Sequence, residues 1–294
     1  MSRLVLKKGS QEGDYMRSLT RRDFVSLAIS ALASTTLAAC SSQNSGSSSA
    51  ANASKDPVTL QIFAANSLTE AMDNAIEIYK TSHPWVSFRD SQYLSSGDLN
   101  AQLQSGAYAD VLISASADKM DIAQSKGLIV SDTRRDLFNN DLVVCARQNS
   151  GYRISSLSDV VSGGYKLAVG DESVPAGNYA CQSLYSVGAY TSAEGRGGFF
   201  VGISPLLDSS VGNVCKHVQS GQVDLGIVYL SDLYRFPGLE IVYEIPESVH
   251  DRIIYPGAIC TTSSKQEAAQ EFLTWCKNDT DAISVWQQWG FAMA

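Results

Sequence analysis

From Val58 onward the chain repeats one unit, an apolar strand that halts at a small-residue turn and reopens as a helix. Val58 to Ala64, VTLQIFA, alternates and then runs apolar, as a strand entering a buried sheet does. It stops at Ala65-Asn66-Ser67, and Ser67-Leu68-Thr69-Glu70 has the capping-box pattern that opens a helix. Ala71, Met72, Ala75, Ile76 and Tyr79 follow at helical spacing up to His83-Pro84. The next unit reads as the strand VSFRD, a turn at Ser95-Ser96-Gly97, a helix over Asp98 to Gln104 and a buried strand from Asp110 to Ser114. A second series begins with LVVCA at Leu142 and Tyr165 to Val169 as strands. A helix from Asn178, a strand over Leu225 to Tyr229 and a helix from Lys265 to Lys277 complete it. Such alternation predicts α/β layers with mostly parallel strands. No period of 20 to 50 residues recurs, which excludes a solenoid.

The segment before this body is of a different kind. Arg17 to Cys40 runs from basic residues through the apolar stretch FVSLAISALASTTLAA to Leu37-Ala38-Ala39-Cys40, the order of an export signal. The stretch is shorter than the roughly 20 residues of a membrane-spanning helix. Its end resembles a bacterial lipobox, which implies that Cys40 is lipidated and becomes the new N-terminus. Ser18 to Val25, SLTRRDFV, resembles a twin-arginine export motif, which is an address rather than an anchor. Met16 stands directly before this signal and is an alternative start. Residues 41 to 56, rich in Ser, Ala and Asn with no hydrophobic period, read as a flexible tether.

The chain's net charge is −8, and removing the basic leader leaves −11 on the mature part. That acidity excludes nucleic acid as the partner class. It also means that an anionic ligand must be held by local dipoles and hydrogen-bond donors. Cys145, Cys181, Cys215, Cys260 and Cys276 form no C-x-x-C pair and lie in apolar or helical contexts. They fit buried thiols, with one or two disulfides as the alternative that an oxidising compartment permits.

Several strand-to-helix junctions place small or hydroxyl residues at helix starts, where free N–H groups and the positive end of the helix dipole favour an anion. Open α/β sheets bind ligands at these carboxyl ends of strands. The segments that carry the junctions, FAANSLTEAM, SSGDLNAQLQSGAYADVLISASADKMD, LAVGDESVPAGNYA and LGIVYLSD, together with WGF at Trp289 to Phe291, resemble the molybdate-binding protein family, often called ModA. The resemblance spans about Val58 to Phe291.

It implies a two-lobed, periplasmic-binding-protein-like (type II) α/β fold that clamps a tetrahedral oxyanion, molybdate or tungstate, with neutral donors. Together with the lipobox at Cys40, it implies a lipid-anchored monomer outside the cytoplasm, partnered by an ABC permease and ATPase, with a ligand but no cofactor. Residue by residue, Ser67 and Ser96 match the family serines of the first lobe, Ala176 a backbone donor of the second, and Tyr229 the tyrosine whose hydroxyl reaches the anion. Val211 stands where the family has a further backbone donor. The usual E-N/D-V-R run is replaced there by Asp208-Ser209-Ser210-Val211-Gly212, a departure that bears on the local backbone path. The implied organisation is a signal over 1–39, a tether over 40–56, a first lobe over 57–139 plus 251–294 and a second over 140–250. The Leu142–Ala146 and Ile241–Ile245 regions should then lie near the hinge.

Other chemistries fit less well. Ser116-Ala117-Asp118-Lys119 has the S-x-x-K spacing of penicillin-binding enzymes, but no K-T-G follows, and neither G-x-S-x-G nor H-E-x-x-H occurs. The chain is therefore expected not to be an enzyme. The 13 tyrosines leave ferric-ion binding as one competing reading and sulfate or phosphate binding as another.

Overall fold

The computed structural model describes residues 55–294; the export signal, Cys40 and most of the tether lie outside the described residues. The strand expected over Val58 to Ala64 is two, β1 (Val58–Leu60) and β2 (Ile62–Ala65). The break falls at Gln61, whose N–H donates to the buried Asp110 carboxylate at 2.7 Å. After a 3-10 turn, Asn66–Leu68, come α1 (Thr69–Ser82), β3 (Val86–Phe88), β4 (Gln92–Leu94), α2 (Ser96–Gln104), β5 (Val111–Ile113), α3 (Ala117–Ser125) and β6 (Arg135–Asn139). The second series contains β7 (Leu142–Arg147), α4 (Leu157–Ser162), β8 (Leu167–Gly170), α5 (Pro175–Tyr185), β9 (Leu206–Asp208), α6 (Val211–Ser220), β10 (Leu225–Tyr229), α7 (Leu230–Arg235) and β11 (Leu239–Glu244). The chain then returns through β12 (Ile254–Ile259), α8 (Gln266–Asn278), α9 (Thr280–Gln288) and β13 (Ala292–Met293).

These elements build two lobes. The first holds a six-stranded sheet in the order β13-β6-β12-β5-β2-β4, and the second a five-stranded sheet in the order β11-β7-β10-β8-β9; β1 and β3 pair separately. Period-two alternation explains how the first sheet is covered on both faces. Ile62 and Ala64 of β2 and Val111 and Ile113 of β5 join the large core with Met72 of α1, Phe272 of α8 and Trp286 of α9. Phe63 and Leu112, one residue out of phase, join a smaller core with Leu99 and Leu103 of α2 and Met120 of α3.

The strands are not mostly parallel, which corrects the expectation from sequence. Five pairings are parallel and five antiparallel. The antiparallel ones cluster on β7 and β12, the first strands after the two passages between lobes, and on their neighbours. The passages are short, Asn140–Asp141 and the stretch from Ile245 to Ile253.

Boundaries moved at several elements. The helix expected from Asn178 starts at Pro175, as the fixed φ of proline suits a first helical position. Gln92–Leu94 is a strand that the apolar pattern did not mark, because only part of it is buried. All five described cysteines are buried and unpaired, so the thiol alternative holds.

Candidate functional site

Four strand-to-helix junctions and the 3-10 turn before α1 converge on one small cavity. Ser67, Ser96, Ala176, Val211 and Tyr229 all border it, joined by Asn66 and Ser210, which the sequence did not single out. Its volume is about 20 Å³, on the measure by which ~10–15 Å³ holds one water, so only a very small solute fits. No residue along its wall carries a carboxylate or a basic group.

Each donor has a local cause. Ser96 is the first residue of α2, because Ser95 takes the cap position and accepts from the Asp98 N–H at 3.2 Å. Ala176 follows Pro175 at the start of α5, and Val211 opens α6. First-turn N–H groups have no partner within their own helix. Those of Ser67, Ser96, Ala176 and Val211 make no hydrogen bond to any described residue.

Ser67 does not cap α1, which corrects the capping-box expectation. The 3-10 turn shifts the helix start to Thr69, and no side chain caps it. The Ser67 hydroxyl instead lies 3.0 Å from the Tyr255 hydroxyl. Asn140, in the first passage between lobes, donates to Tyr255 Oη at 3.2 Å and to Ser231 Oγ at 2.8 Å. Either hydroxyl can be the donor of the Ser67–Tyr255 bond. The Ser96 direction is fixed, since its Oγ accepts from the Ala115 N–H at 3.0 Å and retains its hydrogen.

Tyr229 completes the set. It ends β10 with 1% exposure, and its hydroxyl is buried without a hydrogen-bond partner among the described residues. Burial holds its pKa well above the ordinary phenol value, with the nearby Tyr255 adding to the effect, so it is a neutral donor. Its backbone N–H donates to the fully buried Asp232 carboxylate at 3.2 Å.

The altered run before Val211 has a defined path. Asp208 accepts from the Ser210 N–H at 3.1 Å, from Asn213 Nδ2 at 2.9 Å and from His217 Nε2 at 3.0 Å, which ties the turn to α6. Ser210 stands at the cap position of α6 without capping it, and its hydroxyl donates to Asn66 Oδ1 at 3.2 Å. Ser116, by contrast, lies outside the cavity wall and caps α3, accepting from the Lys119 N–H at 3.1 Å. No cluster of His, Cys, Asp and Glu that could hold a metal ion occurs among the described residues.

Two α/β lobes enclosing a small cavity rich in donors define a solute-binding protein. The chain belongs to the bacterial extracellular solute-binding protein family, whose model matches residues 60–292. It is 34% identical over 251 residues to the Escherichia coli molybdate-binding protein ModA, covering 83% of this chain and 93% of that protein. It is 30% identical over 256 residues to YvgL of Bacillus subtilis, designated provisionally an ABC transporter substrate-binding lipoprotein, covering 87% and 92%. The solved periplasmic molybdate-binding protein of Azotobacter vinelandii has the same fold, with a TM-score of 0.66 at 20% identity over 80% of this chain and 99% of that one. The family is one of solute carriers, not of enzymes.

Proposed function

We propose that this protein captures molybdate or tungstate outside the cytoplasm and passes it to an ABC permease driven by its ATPase. The observation that carries the reading is the Tyr229 hydroxyl, buried without a partner among the described residues, at a small cavity without charged side chains that is bordered by four residues whose backbone N–H groups are free. A desolvated dianion needs its lone pairs satisfied, and hydrogen bonds to a charged acceptor contribute about 1.5–3 kcal/mol each. Several such donors reach sub-micromolar affinity without a buried counter-charge. The likeness to ModA supports the choice of ligand. The oxyanion is cargo rather than a cofactor. Titration calorimetry with molybdate, tungstate, sulfate and phosphate in turn tests the assignment. Tight binding of sulfate or phosphate with none of molybdate or tungstate would overturn it.

Single donors should be separable from the fold. Ser96→Ala and Tyr229→Phe are each expected to weaken molybdate binding about 10- to 150-fold, or roughly 1.5–3 kcal/mol. Tyr229→Phe also removes a buried hydroxyl that has no partner among the described residues. Its ligand-free melting temperature should therefore equal or exceed the parent's while its affinity falls. Ser116→Ala should leave affinity unchanged.

The anchoring reading rests on the lipobox at Cys40 and on the likeness to a substrate-binding lipoprotein. No helix among the described residues is long and apolar enough to cross a membrane. Cys40→Ala should release the protein from the membrane fraction or block processing of its signal. A correctly processed mutant that still sediments with membranes would remove the lipid anchor from this account. We read the lobes as 57–139 plus 251–294 and 140–250, closing as a monomer about the two passages.

A further inference from the structure

Two arginines of the second lobe reach acidic residues in the first turns of first-lobe helices. Arg196 meets Asp118 of α3 at 3.2 Å, and Arg235 meets Glu70 of α1. The first pair is 58% and 62% exposed, a setting in which ion pairs contribute little. The second is different, because the Arg235 side chain is only 5% exposed.

Glu70 lies three residues after Ser67, and Arg235 six after Tyr229, so this pair joins the two elements that bring those hydroxyls to the cavity. Arg235 has a resident partner in its own lobe as well. Its Nη1 donates to Asp232 Oδ1 at 2.9 Å while its Nε serves Glu70. The other Asp232 oxygen holds the Tyr229 N–H. When the lobes part, Arg235 loses Glu70 but keeps Asp232, so opening strands no buried guanidinium without a counter-charge. A planar fork can serve two acceptors from two lobes at once, which a lysine ammonium does poorly.

We propose that Glu70 and Arg235 form a releasable latch that holds the cleft closed and thereby sets how long the ligand stays bound. The inference rests on the reading of the cavity as an oxyanion site. Arg235 is a positioning residue, acting through closure and through Asp232 on Tyr229.

Stopped-flow kinetics with molybdate tests it. Glu70→Gln leaves the Arg235–Asp232 pair intact and should raise the dissociation rate about 3- to 10-fold, with association changed less than about 2-fold. Its melting temperature should stay at the parental value. Asp118→Asn, at the exposed pair, should change neither rate. Glu70→Arg, which sets two guanidinium groups against each other, should enlarge the ligand-free protein in small-angle scattering. A parental dissociation rate in Glu70→Gln, or a parental scattering profile in Glu70→Arg, overturns the latch. If the parent itself does not bind molybdate, the functional reading falls, and the scattering comparison alone decides the latch.

Discussion

Ser67→Glu is expected to abolish oxyanion binding, with no heat detected when molybdate is titrated into a folded protein at pH 8. Ser67 is 2% exposed and borders a cavity whose wall carries no charged side chain. A carboxylate there would face a dianion with little water between them. At about 4 Å and an effective dielectric near 20, unit charges repel by roughly 4 kcal/mol, so a charge of −1 against −2 meets roughly twice that. That repulsion equals the whole free energy of a micromolar complex. The hydroxyl donor is lost in addition. Circular dichroism and melting of the ligand-free variant separate this effect from unfolding. Parental affinity in Ser67→Glu would show that the anion sits elsewhere, even in a protein that remains a solute carrier.

Gly177→Ala is expected to lower both stability and affinity, and its cause is backbone geometry. A Cβ at Gly177 would lie 2.2 Å from the Gly170 carbonyl oxygen and 2.4 Å from that of Asp171. Both are main-chain atoms of the β8–α5 junction, so no side chain can rotate away. The start of α5 must move, and the Ala176 N–H moves with it. Overpacking costs of about 3 kcal/mol correspond to a fall of roughly 6 to 12 °C in a protein of this size. Affinity should fall at least about 10-fold, since one charge-assisted donor is displaced. Gly198→Ala is the matched control, because nothing lies within 4 Å of its Cβ position. A Gly177→Ala protein with parental melting temperature and affinity would contradict the close approach.

The glycine in VPAGNY thus has a physical reason. It lets α5 begin against the turn that precedes it, with Pro175 and Ala176 of its first turn at the cavity wall. The same holds for Pro175, which suits the first helical position. Such local requirements leave a mark in the sequence.

What the sequence determined by itself is whatever depends on neighbours along the chain. The alternation of strands and helices, the turns at Ser95-Ser96-Gly97 and Pro175-Ala176-Gly177, and the run ending at Tyr229 are local patterns. They are why the α/β class could be read in advance, whereas the five residues now found around one cavity were implied by the resemblance of those segments to the molybdate-binding family. The tertiary structure decided whatever depends on distant partners. Ser67 looked like a helix cap, yet its hydroxyl turns to Tyr255, 188 positions away, and Tyr255 is set by Asn140, 115 positions away. Glu70 and Arg235 are separated by 165 positions. The strand directions depend on how the chain crosses twice between lobes, and the wall position of Asn66 and Ser210 on the lobes meeting. A hydrogen bond or ion pair between remote residues imposes no period and no spacing on either segment, so only the folded chain shows it.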